Sequence, residues 1–218
     1  MRTSKIGTLV LGVAALFSVA TPLAAKSYPP RNECTADPAA NSYHLAFVTA
    51  VANRDVAMLQ GLMGETVLLG FGGSNGPDTL AEWLASPDID MWAQLDEMAR
   101  LGCALGDATD GGHSIIIPWI WSQPVEEVDG IEGFTALGPD VPLRAGPSSD
   151  APVVERLNWH AVQLVSGWGG DSEWREVARP GGPSGYVRED QLRSLIARRL
   201  VAEQVDGEYK AAVLVAGD

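Results

Sequence analysis

The stretch Val141-Pro142-Leu143-Arg144-Ala145-Gly146-Pro147-Ser148 decides how this chain is read. Two apolar residues alternate with a proline and an arginine, and Gly-Pro then demands a turn. Short apolar runs follow at short intervals: Val153-Val154 with Leu157, then Val162, Leu164 and Val165, then Trp174-Arg175-Glu176-Val177, then Gly185-Tyr186-Val187, then Leu192. Polar segments rich in Gly and Pro separate them. Strands of this length and spacing predict a small all-β barrel over residues 134–192.

Those residues, in that order, resemble a bacterial SH3-like (SH3b) domain. Such a domain usually opens "leucine-asparagine-valine-arginine-serine-glycine-proline-serine" and closes on "glycine-tryptophan-valine". Here Pro142 stands for the asparagine, so contacts made by that asparagine do not carry over, and Tyr186 stands for the tryptophan. The resemblance implies a module that engages peptidoglycan or a protein partner in the cell envelope. Its candidate ligand-binding face is Arg144, Trp159, Trp168, Trp174 and Tyr186. On that reading Arg144 meets a carboxylate and the aromatic rings supply apolar area at little entropic cost.

Beyond the barrel, Leu195 to Val205 and Glu208 to Ala216 read as two long strands. Asp206-Gly207 between them suits a tight hairpin turn, because both residues tolerate positive φ. These strands exceed what a small barrel needs. The segment before the barrel has helices with apolar faces and few strands to cover them. The economical arrangement returns the hairpin to the first domain, which then comprises residues 26–125 with 195–218 and holds the barrel as an insertion between Trp121 and Leu195. A simple string of two domains is the alternative. The acidic stretch from Val125 to Gly133 reads as a linker.

The front of the chain predicts helices. Asn41 or Ser42 can cap the first, with Leu45, Val48 and Val51 as its apolar face; Asp55 can cap a second through Leu59 and Leu62. Glu65 to Phe71 reads as a strand, Pro77-Asp78 opens a third helix, and a fourth starts near Asp90 and carries on to Cys103. Ser114 to Trp121 reads as a strand with Pro118 at an edge or bulge. Phe47-Val48-Thr49-Ala50-Val51-Ala52-Asn53-Arg54-Asp55, then Leu59 and Leu62, then Val67 to Phe71, then Gly76, resemble the front of the nuclear-transport-factor-2-like (cystatin-like) cone fold. The expected class is therefore α+β: helices on a curved antiparallel sheet, plus a small SH3-like barrel.

Arg2 and Lys5 precede an apolar run from Ile6 to Ala20, and small residues follow. That order is the order of a secretory signal over residues 1–25, cut after Ala20 or Ala25. The run is shorter than the roughly 20 residues of a spanning helix. A periplasmic or secreted protein is expected, with no membrane span after cleavage. The formal charge of −13 repels phosphate backbones and anionic lipid, so nucleic acid is a poor partner. The chain has two cysteines, Cys34 and Cys103, and in an oxidising compartment they are expected to form a disulfide.

Catalytic patterns are sparse. His44, His113 and His160 are scattered, and neither cysteine has the His setting of a cysteine hydrolase. There is no Gly-x-Ser-x-Gly elbow and no phosphate loop. Asp107 and Asp110 share a Gly-rich loop without EF-hand spacing. Asp55 is the nearest candidate for a pocket base, but helix capping accounts for it. No cofactor or metal is implied. The expected function is an exported, non-catalytic binding protein acting through the barrel. An interaction scaffold built on the cone-like domain and a pocket enzyme of the isomerase or hydratase type are the alternatives. Oligomeric state is left open.

Overall fold

The computed structural model describes residues 25–73, 75–107, 113–165 and 172–217. The expected signal peptide lies outside them except for Ala25, as do Asp110 and Trp168. Among the described residues no helix is long and apolar enough to cross a membrane. The architecture is α+β, with four helices and two sheets.

The chain enters as a short strand β1 (Arg31–Asn32), makes a 3-10 turn at Glu33–Ala36, and starts helix α1 (Pro38–Asn53). This helix begins earlier than Asn41 or Ser42. Asp37 Oδ1 accepts hydrogen bonds from the Ala39 and Ala40 amides, and Pro38 sits at the first position, where its missing N–H costs nothing. Its buried face keeps Val51, and Val48 half-buried, from the expected stripe but is shifted away from Leu45. Tyr43, His44, Phe47, Ala50 and Val51 face the core, and Leu45 is 54% exposed. Both stripes have helical spacing; the one with the larger apolar area, carrying Tyr43 and Phe47, is buried.

Arg54, at φ 55, ends α1. Asp55 then caps α2 (Val56–Leu62) by accepting from the Met58 amide. Strand β2 (Met63–Leu68), helix α3 (Pro77–Ala85) and helix α4 (Met91–Arg100) follow. The fourth helix does not reach Cys103. It stops at Arg100, and Cys103 lies on strand β3 (Gly102–Asp107). Gly102 is the reason: at φ +76 it favours a residue without a side chain, and a Cβ there would stand 2.0 Å from the Arg31 carbonyl oxygen. That close approach pairs β1 in parallel with β3, Arg31 opposite Gly102 and Asn32 opposite Cys103. The Cys34–Cys103 disulfide forms beside it, with a Cα–Cα distance of 5.7 Å.

Strand β4 (His113–Ile117) ends before Pro118, and Trp119–Ser122 coils into a 3-10 turn where a continuous strand was expected. Proline has no amide for the ladder, so pairing stops there. The C-terminal hairpin is β12 (Arg199–Val205) and β13 (Glu208–Val215). Its turn residues Asp206 and Gly207 both have positive φ, 53 and 85, as the sequence required. The first strand starts at Arg199, not Leu195, because Leu192–Ser194 forms a separate strand, β11, in the other sheet.

The six-stranded sheet runs β1-β3-β4-β12-β13-β2. The helices cover one face, and their core joins Phe47, Leu59, Leu80, Leu95 and Met98 to Ile115, Ile117, Leu200 and Leu214 of the sheet. On the opposite face the register aligns Ala104, Ile116, Val201, Val213 and Leu68 across five strands.

The intervening strands are β5 (Gly133–Ala136), β6 (Val141–Arg144), β7 (Val153–Leu157), β8 (Ala161–Leu164), β9 (Trp174–Ala178) and β10 (Ser184–Arg188). With β11 they form a seven-stranded sheet, ordered β11-β5-β8-β9-β10-β6-β7. Phe134, Leu143, Leu157, Val162, Val177 and Val187 make its core. Neither sheet closes into a barrel. Strand pairing breaks at Asn158–His160, where Trp159 takes φ 54: β7 pairs only with β6, whereas β8 pairs with β5 and β9.

The two sheets meet through Tyr28, Ala104, Trp119, Ile120 and Ala161. The segment after Gln123 is packed into this junction and is not a free tether. Val125 and Val128 lie against that cluster, and Asp129 Oδ1 accepts from the Ile131 and Glu132 amides.

Candidate functional site

Three of the five residues expected to bind a ligand share one face of the seven-stranded sheet. On β10, Gly185 and Val187 are buried, which turns Ser184, Tyr186 and Arg188 outward. Tyr186 lies directly opposite Arg144 of β6 on one side and Glu176 of β9 on the other. Arg188 lies opposite Trp174 in the next outward row. Gly185 makes this approach possible, since a Cβ there would stand 2.5 Å from the Arg144 carbonyl oxygen. The Gly-Tyr-Val triplet therefore has a mechanical role: the glycine lets two strands close up, and the next residue faces outward beside Arg144.

Arg144 is half-buried. Its Nη1 donates to the Ala151 carbonyl at 2.8 Å, which braces the β6–β7 turn, while its Nε is buried without a hydrogen-bond partner. In the adjoining outward row Arg188 pairs with Asp190 at 2.7 Å. The face is thus aromatic and mixed in charge.

Trp159 is not on this face. Its carbonyl accepts from the Tyr28 amide at 2.9 Å, its amide donates to Gly138, and its side chain lines a small cavity with Tyr28, Leu101 and Thr135 at the junction of the sheets. The positive φ that breaks the ladder places it there, and no local sequence pattern marks that bend. Trp168 lies outside the described residues.

A larger cleft, of about 170 Å³, opens at the same junction. Trp121 forms a wall, Thr135 and Arg193 line it, and Ser194 and Gln123 add polar groups. Trp121 is 39% exposed. Sequence reading missed this cleft, because its lining comes from three separated segments. Arg193 is 5% exposed; it pairs with Glu97 of α4 and also donates to the Arg198 carbonyl. Burial lowers the Arg193 pKa, and the Glu97 carboxylate opposes that shift.

The other titratable candidates are placed as follows. His113 is exposed at the start of β4. Asp55 caps α2. Asp107 is exposed at the end of β3, and among the described residues no group of His, Cys, Asp and Glu is arranged to hold a metal. His44 is buried in the helical layer, and neither ring nitrogen has a hydrogen-bond partner. Burial lowers its pKa below the ordinary imidazole value; His160 shifts the same way, through burial and then through Arg179. Folding therefore favours the neutral rings. That stability is fully present above the unfolded value of about 6.5 and is lost as pH falls through the depressed folded value. Urea unfolding midpoints are expected to drop between pH 7.5 and pH 5, and His44→Leu to flatten that drop. An equal drop in the variant would clear His44 of the effect.

Compared with models of protein families, with curated proteins and with solved structures, the chain matches none.

Proposed function

We propose that this is an exported, non-catalytic binding protein of the bacterial envelope. Its seven-stranded sheet, over residues 134–192, is an SH3-like module inserted into an α+β cone-like domain. The module engages peptidoglycan, or an envelope protein, through the outer face of β6, β10 and β9. The observation that carries this is the register pairing Tyr186 with Arg144, with Trp174 in the adjoining row. An arginine beside aromatic rings suits a carboxylate on an apolar stem, as in a wall stem peptide. The fall of the short strands on the residues that carry the resemblance supports the SH3-like reading, and the Cys34–Cys103 disulfide supports an oxidising compartment.

The test is co-sedimentation with purified peptidoglycan sacculi, beside a Trp174→Ala, Tyr186→Ala variant whose circular dichroism is native. Saturable binding that weakens about tenfold in the variant is the expected result. Absence of binding by the unaltered protein would sink the wall reading. It would favour a protein partner instead, and the half-buried apolar ladder Val201, Val213 and Leu68 on the six-stranded sheet is the surface to map next.

A further inference from the structure

We propose that the cleft between the two sheets, walled by Trp121 and lined by Thr135, binds a neutral saccharide ring, an N-acetylhexosamine unit of a glycan. The inference rests on the wall-binding reading and names a second subsite for it, apart from the Arg144–Tyr186 face. The volume of about 170 Å³ is below that of pockets that enclose a whole drug-sized ligand and suits a single ring held at an open cleft, and junctions between folded units are where small-ligand sites concentrate.

The chemistry of the lining selects the ligand. Thr135 is 3% exposed, lines both this cleft and the smaller cavity beside it, and its hydroxyl makes no hydrogen bond among the described residues. Ser194 Oγ accepts from the Ile196 amide at 3.3 Å and keeps its own proton to donate. Gln123 Nε2 donates to Ser122 Oγ at 2.7 Å, which leaves its carbonyl oxygen as an acceptor. The charge in the lining, Arg193, is neutralised by Glu97. What the cleft offers is therefore two hydroxyls and an amide oxygen, without an unpaired charge.

Trp121 supplies the apolar element. The Arg199 guanidinium lies over its ring, 4.6 Å from the centroid, and the ring remains 39% exposed beside the cleft. A sugar ring presents C–H groups on its face and hydroxyls around its edge, which fits an aromatic wall with neutral donors and acceptors around it. An ionic ligand would find no free counter-charge in the lining. A purely apolar ligand would leave the Thr135 hydroxyl unpaired. A neutral ligand is also indifferent to the acidity of the chain.

The experiment is an amide NMR titration of the whole chain with the β-1,4-linked tetramer of N-acetylglucosamine, run beside sacculus co-sedimentation. Saturable shifts centred on Trp121, Thr135 and Ser194 are expected. Trp121→Ala should lose about tenfold in affinity, and Thr135→Val about fivefold with an unchanged thermal midpoint. Shifts that map to Trp174 and Tyr186, or no shifts at millimolar tetramer, overturn the proposal. Sacculus binding without tetramer binding removes the glycan cleft and leaves the function above standing. Absence of both removes both.

Discussion

Reduction of the Cys34–Cys103 bridge is expected to lower the free energy of unfolding by about 4 kcal/mol, read as a fall in the urea midpoint when dithiothreitol is present. The bridge closes a loop of 69 residues, and the chain-entropy estimate for such a loop is of that size. Both sulfurs are buried, so the native state also loses contacts if either is removed. The effect should be local as well as global. The disulfide fastens the Glu33–Ala36 turn to β3, next to a β1–β3 pairing of two residues on each strand. Hydrogen exchange at Arg31, Asn32 and Gly102 should therefore rise first. A loss below about 1 kcal/mol would mean that the reduced chain keeps this end of the sheet in place by packing alone.

Arg193→Ala is expected to cost about 3 kcal/mol, the second large effect. Arg193 reaches from β11 of one sheet to Glu97 on a helix covering the other, and its second terminal nitrogen satisfies the Arg198 carbonyl. Truncation leaves a partly buried carboxylate and a carbonyl without their donor, and breaking a buried pair from one side is the costly way to break it. Removing both charges is different. Arg193→Met with Glu97→Met should recover most of the loss, because well-packed apolar replacements of buried ion pairs are close to neutral. Urea unfolding of the two variants checks this. A double variant as unstable as Arg193→Ala would show that the carbonyl contact, not the ion pair, carries the energy. The neighbouring arginines extend the same join: Arg198 donates to Gln94 and to the Leu214 carbonyl, and Arg199 donates to the Gly217 carbonyl.

Local chemistry was legible wherever the chain's own neighbours decide the outcome. Asp55 and Asp90 cap helices by the mechanism their positions implied. Asp206-Gly207 turns with positive φ at both residues. The strands from Val141 to Leu192 fall on the apolar runs that predicted them. What was misread turned on partners distant in sequence. Cys103 was placed on a helix because the apolar pattern continues past Arg100, but Gly102 and the approach of Arg31 convert it to a strand. Of the α1 face expected from Leu45, Val48 and Val51, the two valines pack on the core and Leu45 does not, because spacing alone does not fix the edge of an apolar stripe.

Of the candidate site, Arg144, Trp159, Trp168, Trp174 and Tyr186 came from the SH3-like resemblance; Arg144, Trp174 and Tyr186 share a face because their strands are paired in that register. The sequence by itself determined the α+β class, the cysteine pair and the positions of most turns. Only the tertiary structure decided that Trp159 turns into the junction, that the hairpin β12–β13 pairs with β4 and β2, and that Trp121, Thr135 and Arg193 share one cleft. Periodicity reports which side of an element is apolar. It carries no information about which other element covers that side, because that choice is made by long-range packing, where burial, ion pairing and chain closure are settled together.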